Sequence, residues 1–232
     1  MSRLLLFDVD GTLVDVDGAG RAALRDALTE VYGRTGPIDS FDFHGKTDPA
    51  IVHGLLSRAG LSEPEIEEEI QRLWRSYLRG LERELEARRS VDRVRPYPGV
   101  VQLLERLERE ERFVLALVTG NVEDGARHKL RAGGLDGRFR FGAYGSDSAR
   151  RPDLPPLAMR RARRLLGTTF RADEVWVIGD TPEDIGCGRA SGLRTLAVAT
   201  GRHGVEELRA HGADAVVPEL APTEEIVELL GG

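Results

Sequence analysis

Short apolar runs alternate along this chain with segments whose apolar positions recur at helical spacing. The first run, Arg3 to Asp8, is Leu-rich and ends abruptly in Asp-Val-Asp-Gly-Thr-Leu, so it reads as a buried strand meeting a loop. Ala23, Leu24, Ala27, Leu28 and Val31 then mark a helix over 20–32. Gly33, Gly36, Pro37 and Gly45 make 33–46 a loop, and Thr47 or Asp48 caps a second helix, 50–60, with Pro49 at its start. Residues 64–89 form one long charged helix with Ile66, Ile70, Leu73, Tyr77, Leu81 and Leu85 on one face. That stripe fits a packed helix or a dimer contact.

The pattern changes at Pro96-Tyr97-Pro98-Gly99. Beyond it, strands expected at Phe113–Val118, Arg140–Tyr144, Glu174–Ile178, Thr195–Ala199 and Ala215–Val217 alternate with helices near 99–110, 122–132, 155–166, 182–191, 205–211 and 223–230. Such alternation implies a parallel sheet covered on both faces. The expected fold class is therefore α/β. Residues 1–14 and 96–232 would form a Rossmann-like parallel-sheet core, with 15–95 inserted as an α-helical cap domain.

Composition narrows the function classes. One cysteine, Cys187, excludes a disulfide framework or a multi-cysteine zinc site. No apolar run approaches the ~18 residues of a membrane helix, and the N-terminal run is too short for a signal peptide, so a cytoplasmic protein with no membrane partner is expected. A net charge of −6 disfavours nucleic acid as a partner. Lysine occurs only at Lys46 and Lys129, so any chemistry that needs a lysine has two candidates.

Polar groups collect where apolar strands stop. Asp8 and Asp10 follow the first strand, Thr119-Gly120-Asn121 another, and Gly179-Asp180-Thr181-Pro182-Glu183-Asp184 a third. In open parallel sheets the ligand crevice lies at the carboxyl ends of the strands. Taken singly each segment is an ordinary turn or helix cap. Together, Asp8, Asp10, Asp180 and Asp184 need protons or a cation to offset their repulsion, and a hard divalent ion such as Mg²⁺ suits oxygen ligands and phosphate chemistry.

The segments Asp8-Val-Asp10-Gly-Thr-Leu, Val118-Thr119-Gly120-Asn121 and Val177-Ile-Gly-Asp180-Thr-Pro-Glu-Asp184 resemble three signature motifs of the haloacid dehalogenase superfamily, in order and spacing, over essentially the whole chain. The overall pattern is similar to the branch that holds phosphoglycolate phosphatases and β-phosphoglucomutases. The resemblance implies Asp8 as nucleophile and Asp10 as general acid, then base. It implies Mg²⁺ held by Asp8, the Asp10 backbone carbonyl and Asp180, with Asp184 as ligand or supporting residue. Thr119 and backbone N–H groups near Gly120 and Asn121 would bind phosphate oxygens.

Asp10 argues against dehalogenation, because dehalogenases of the superfamily lack an acid there. Gly11 argues against phosphonatase-like members, which carry Ala, and Thr12 leans toward hydrolysis. The superfamily's third motif, usually a lysine in Lys-Pro-x-Pro, is replaced here by Arg150-Arg151-Pro152-Asp153-Leu154-Pro155-Pro156. Arg151 is expected in the lysine's role, with Arg150 as the other candidate. Lys129 is expected on the surface of the helix after Thr119. Lys46 and His44, in a loop that resembles the substrate-facing segment of related caps, are candidate substrate-binding residues.

The expected function is a Mg²⁺-dependent phosphomonoester hydrolase acting on a small phosphorylated metabolite through an aspartyl-phosphate intermediate, as monomer or homodimer. The competing readings are a phosphomutase and a weakly active phospho-ligand binding protein.

Overall fold

The computed structural model describes residues 2–232. Strand β1 (Arg3–Phe7) leads through the two-residue β2 (Val14–Asp15) to helices α1 (Ala19–Tyr32), α2 (Asp48–Arg58) and α3 (Glu63–Arg89). A second two-residue strand, β3 (Arg95–Pro96), returns the chain to α4 (Val100–Glu108), β4 (Phe113–Thr119), α5 (Glu123–Ala132) and β5 (Gly142–Tyr144). Then follow α6 (Leu154–Leu166), β6 (Val175–Gly179), α7 (Pro182–Ala190), β7 (Arg194–Val198), α8 (Val205–Ala210), β8 (Ala215–Val217) and α9 (Thr223–Gly231). The expected elements are present, with ends displaced by a few residues. The β2–β3 pair, too short to leave a sequence pattern, is additional.

Six strands form one parallel sheet in the order β5-β4-β1-β6-β7-β8. β1 lies between β4 and β6, with Leu5 opposite both Leu115 and Trp176. Both faces of these central strands are covered, so alternation along β1 sends each residue from Leu4 to Phe7 into one core or the other. Leu5 and Phe7 join Leu117, Trp176, Ile178 and Leu103 on one side. Leu4 and Leu6 join Val118, Val177, Ala158 and Ala162 of α6 on the other. Trp176 is fully buried.

The helices α1–α3 leave the sheet between β2 and β3, which pair antiparallel with Val14 opposite Pro96 and Asp15 opposite Arg95. The entry and exit of the helical insertion are thus tied together at one point. The apolar stripe of α3 packs within the insertion and against α5: Ile66, Leu73, Tyr77, Leu81 and Leu85 are buried in the same core as Leu24, Leu28 and Ala126. Helix α2 starts as its sequence predicts, with the Thr47 hydroxyl accepting from Ala50 N at 3.2 Å and Pro49 in the first turn.

The loop before α2 docks on the sheet edge. Asp48 N donates to Gly120 O at 2.7 Å, Val122 N to the Asp48 carboxylate at 2.8 Å, and the Thr47 hydroxyl to Ala149 O at 2.8 Å. A Cβ on Gly120 would lie 2.2 Å from Lys46 O, so only glycine lets the two backbones approach this closely.

Candidate active site

Asp8 leaves the end of β1 with its N–H still bonded to Ile178 O of β6 at 2.9 Å, so its position is set by the centre of the sheet. Gly11 turns the chain with φ +81, and a Cβ there would sit 2.2 Å from an Asp180 oxygen. Glycine at this position is what lets the loop after β1 meet the loop after β6. Thr12 Oγ1 then donates to Asp180 Oδ1 at 3.2 Å. Asp184 sits in the first turn of α7, where its Oδ2 accepts from Thr181 N at 3.0 Å and from the Thr181 hydroxyl at 2.6 Å. Oxygens of Asp8, Asp180 and Asp184, all buried, lie within 4.8 Å of one another.

Arg151 enters this cluster from the turn before α6. Its Nη2 lies 3.0 Å from Asp8 Oδ2 and also pairs with Asp184 Oδ1, while Nη1 donates to Gly45 O of the insertion at 3.1 Å. Arg151 Nε is buried with no protein partner. Arg150, the other arginine considered for this place, is exposed.

The electrostatics follow from this crowding. Burial raises the Asp8 carboxyl to about 6; Arg151 opposes the rise, while Asp184 and Asp10 add to it. Burial, then Asp184 and Asp8, push Asp180 well above the usual carboxylate value. Burial disfavours the charged Arg151, but Asp184 and Asp8 outweigh it and hold its pKa well above the ordinary arginine value.

Thr119 closes β4, fully buried, and its hydroxyl oxygen accepts from Asn121 Nδ2 at 2.8 Å. Asn121 Nδ2 also donates to Asp10 Oδ2 at 2.7 Å. Here one expectation is corrected. Lys129 is not a surface lysine of α5: it is buried, and its Nζ lies 2.6 Å from Asp10 Oδ2. The charge is tolerated inside because Asp10, Asp48 and Asp8 raise its pKa against the opposing effect of burial. Lys129 shares a helical face with Ala126 and Leu130, which points to burial but names no partner for the charge.

These groups line a cavity of about 410 Å³ between sheet edge and insertion, where Asp8, Asp10, Thr119 and Arg151 meet Lys46, Trp74 and Tyr77. Lys46 has no carboxylate within ion-pair distance among the described residues. His44 also lines the cavity but is exposed, its Nδ1 2.6 Å from Asp42 Oδ1. Trp74, Tyr77 and Lys129 belong to none of the motifs, because they lie on helix α3 of the insertion or on the buried face of α5. They reach the site only through packing.

The arrangement places a buried carboxylate against a fixed guanidinium, with a second carboxylate two residues away. It can hold a phosphate beside a nucleophile, and the acidic cluster can hold a cation. Sequence comparison agrees with the geometry. The chain is 25% identical over 224 residues to a pyrophosphatase, PpaX, of Halalkalibacterium halodurans, covering 96% of this chain and 95% of that protein. It is 27% identical over 228 residues to a phosphoglycolate phosphatase of Nitrosospira multiformis, covering 97% and 96%. A crystal structure of a hydrolase from Pseudomonas syringae superposes with a TM-score of 0.70 at 24% identity, covering 99% of each chain. The family model for haloacid dehalogenase-like hydrolases matches residues 5–198, and the chain belongs to that family.

Proposed function

We propose that this hydrolase removes phosphate from small phosphorylated metabolites, with residues 15–95 acting as a cap over the sheet edge. The observation that carries the reading is the Asp8–Arg151 pair: a buried carboxylate and a guanidinium 3.0 Å apart, opening onto the cavity between cap and core. The guanidinium's planar fork suits phosphate oxygens, and Arg151 Nε is a buried donor still lacking a protein partner.

In this reading an Asp8 oxygen attacks phosphorus, the bond from phosphorus to the leaving oxygen breaks, and the Asp10 carboxyl gives its proton to that oxygen. Asp10, now a carboxylate, takes a proton from water as the water attacks phosphorus, and the bond to Asp8 breaks to release inorganic phosphate. Thr119, the N–H groups near Gly120 and Asn121, and Arg151 hold the phosphate oxygens through both transfers. Lys46 and His44 lie on the cap side of the cavity, where they would meet the remainder of the substrate.

A divalent cation fits the donor set. Three buried carboxylates face one guanidinium, and no described residue donates a hydrogen bond to Asp180 Oδ2. Asp8, Asp180 and the Asp10 carbonyl would hold Mg²⁺, with Asp184 shared between the ion and Arg151. When bound, the ion supplies positive charge that lets a phosphate approach Asp8.

The test is a panel of phosphoglycolate, sugar phosphates, nucleotides and pyrophosphate, assayed with and without Mg²⁺. Release of inorganic phosphate that depends on the metal is expected. An isomerised sugar phosphate without released phosphate would mark a mutase instead. Tight binding without turnover at high enzyme concentration would mark a binding protein.

A further inference from the structure

Lys129 is enclosed behind Asp10. Both side chains line the cavity, but the lysine side chain is 5% exposed and the aspartate side chain 42%, so the carboxylate is the more open of the two. Nζ donates to Asp10 Oδ2 at 2.6 Å and to Asn121 Oδ1. Asn121 Nδ2 donates to the same Asp10 oxygen at 2.7 Å, which closes a ring of three side chains, and also to the Thr119 hydroxyl. No described residue donates to Asp10 Oδ1.

We propose that Lys129 is a positioning residue for Asp10. It holds Oδ2 as an acceptor and leaves Oδ1, which no described residue bonds, as the oxygen that carries the proton to and from the reaction. This rests on the general acid and base role given to Asp10 above. The geometry adds which oxygen acts and what keeps it in place. Two donors on one oxygen exclude a proton from it, because an O–H there would face an ammonium and an amide N–H. They also hold the carboxyl in one rotamer, where a half-exposed aspartate would otherwise sample several. The bonds of Nζ run to Asp10 and Asn121, so Lys129 acts on the reaction through Asp10 as a positioning group.

A lysine that merely ties α5 to the loop after β1 would affect all substrates alike. One that positions the proton donor matters in proportion to how much the leaving oxygen needs a proton. kcat/KM covers binding and phosphoryl transfer to Asp8 and leaves out the later hydrolysis, so loss of the proton donor to the leaving oxygen shows in it. The experiment compares p-nitrophenyl phosphate, whose phenolate leaves readily unprotonated, with β-glycerol phosphate, whose alkoxide does not, in Mg²⁺ for wild type, Lys129→Met and Asp10→Asn.

General acid catalysis contributes about 10²–10⁴-fold. Lys129→Met is therefore expected to lower kcat/KM by roughly 10²-fold on the alkyl ester and by less than about fivefold on the aryl ester. Asp10→Asn should show the same pattern more steeply. Lys129→Gln keeps an N–H donor and should recover part of the alkyl-ester loss. It also carries the test if the Met variant does not fold, as checked by thermal melting. Equal losses on the two esters, or none, in folded Lys129 variants overturn the proposal while leaving the role of Asp10 intact. No ester dependence in Asp10→Asn, or a wild type inert toward both esters, overturns the reading of the site and this proposal with it.

Discussion

Arg151 joins the Asp8 carboxylate to the helical insertion through one planar group: Nη2 is 3.0 Å from Asp8 Oδ2, and Nη1 donates to Gly45 O at 3.1 Å. A lysine has one nitrogen at the end of a flexible stem and could not span both with the same fixed geometry. Arg151 therefore links the helical insertion to the carboxylate cluster at the sheet edge.

The first prediction separates the two arms of Arg151. Removing a preorganised donor to developing charge costs about 10²–10³-fold in kcat, and Arg151→Ala should fall in that range on a good substrate. Arg151→Lys should recover most of kcat but raise KM, because the cap loses its bond to the guanidinium. Steady-state kinetics of both variants check this, and a change of less than about twofold in kcat/KM for Arg151→Ala would remove Arg151 from the site.

The second prediction concerns Asp8 in its proposed role as nucleophile. Asp8→Asn should abolish turnover and the phosphorylated protein seen by mass spectrometry after rapid acid quench, without lowering the melting temperature. An ionised carboxylate in a buried acidic cluster is unfavourable, so the neutral amide of similar shape costs the metal-free fold little.

The third prediction is metal linkage. A ligand that binds only the folded state stabilises it in proportion to ln(1 + [L]/Kd). Mg²⁺ should raise the melting temperature of the substrate-free protein, and Asp180→Asn should reduce or remove the rise. Isothermal calorimetry with the metal alone gives the same comparison without turnover. An Asp180→Asn shift equal to wild type would take Asp180 out of the donor set.

The fourth prediction is a pH dependence carried by the cap. Burial raises the Asp48 carboxyl to about 6, against the opposing effects of Lys129 and the bond from Val122 N. A raised folded-state pKa contributes stability that is full below the unfolded value near 4 and is lost as pH rises through about 6. Asp48→Asn should therefore make the fall of stability with pH shallower between those limits, leaving the part carried by Asp8 and Asp180. The Asn carbonyl can still accept from Val122 N. Urea melts at pH 4.5, 5.5 and 7 check the slope.

The fifth prediction tests the core. Trp176 fills the sheet centre with no exposure, the Arg194 guanidinium lies 4.0 Å from its ring centroid, and its Nε1 has no hydrogen-bond partner. Trp176→Ala should cost about 3–5 kcal/mol. Trp176→Phe should cost less than Trp176→Ala, because the phenyl ring keeps most of the packing and the unsatisfied buried N–H is removed. Chemical denaturation measures both.

How much of this was legible beforehand depends on where the physics is local. Runs such as Leu4-Leu5-Leu6-Phe7 and Val175-Trp176-Val177-Ile178 marked the central strands, because a parallel strand is buried on both faces and its sequence shows it. Asp8, Thr119 and Asp180 were placed at one edge because strand ends in a parallel sheet share an edge. The helix start at Thr47 was readable from capping chemistry. All of this the chain determines by itself, since period, capping and strand order act within a few residues or through a fixed topology.

Tertiary structure decided the rest. Lys129 looked like a solvated helix residue, and only the docking of α5 behind the loop after β1 put its ammonium on Asp10. Arg150 and Arg151 are neighbours of the same type, yet one is exposed and the other is fixed among Asp8, Asp184 and Gly45, because the turn before α6 aims a single side chain inward. Trp74 and Tyr77 joined the site through the packing of α3. A charge inside a protein is stable only beside partners far away in sequence. No local pattern records those partners, so the identities of the site's cations were settled by the fold.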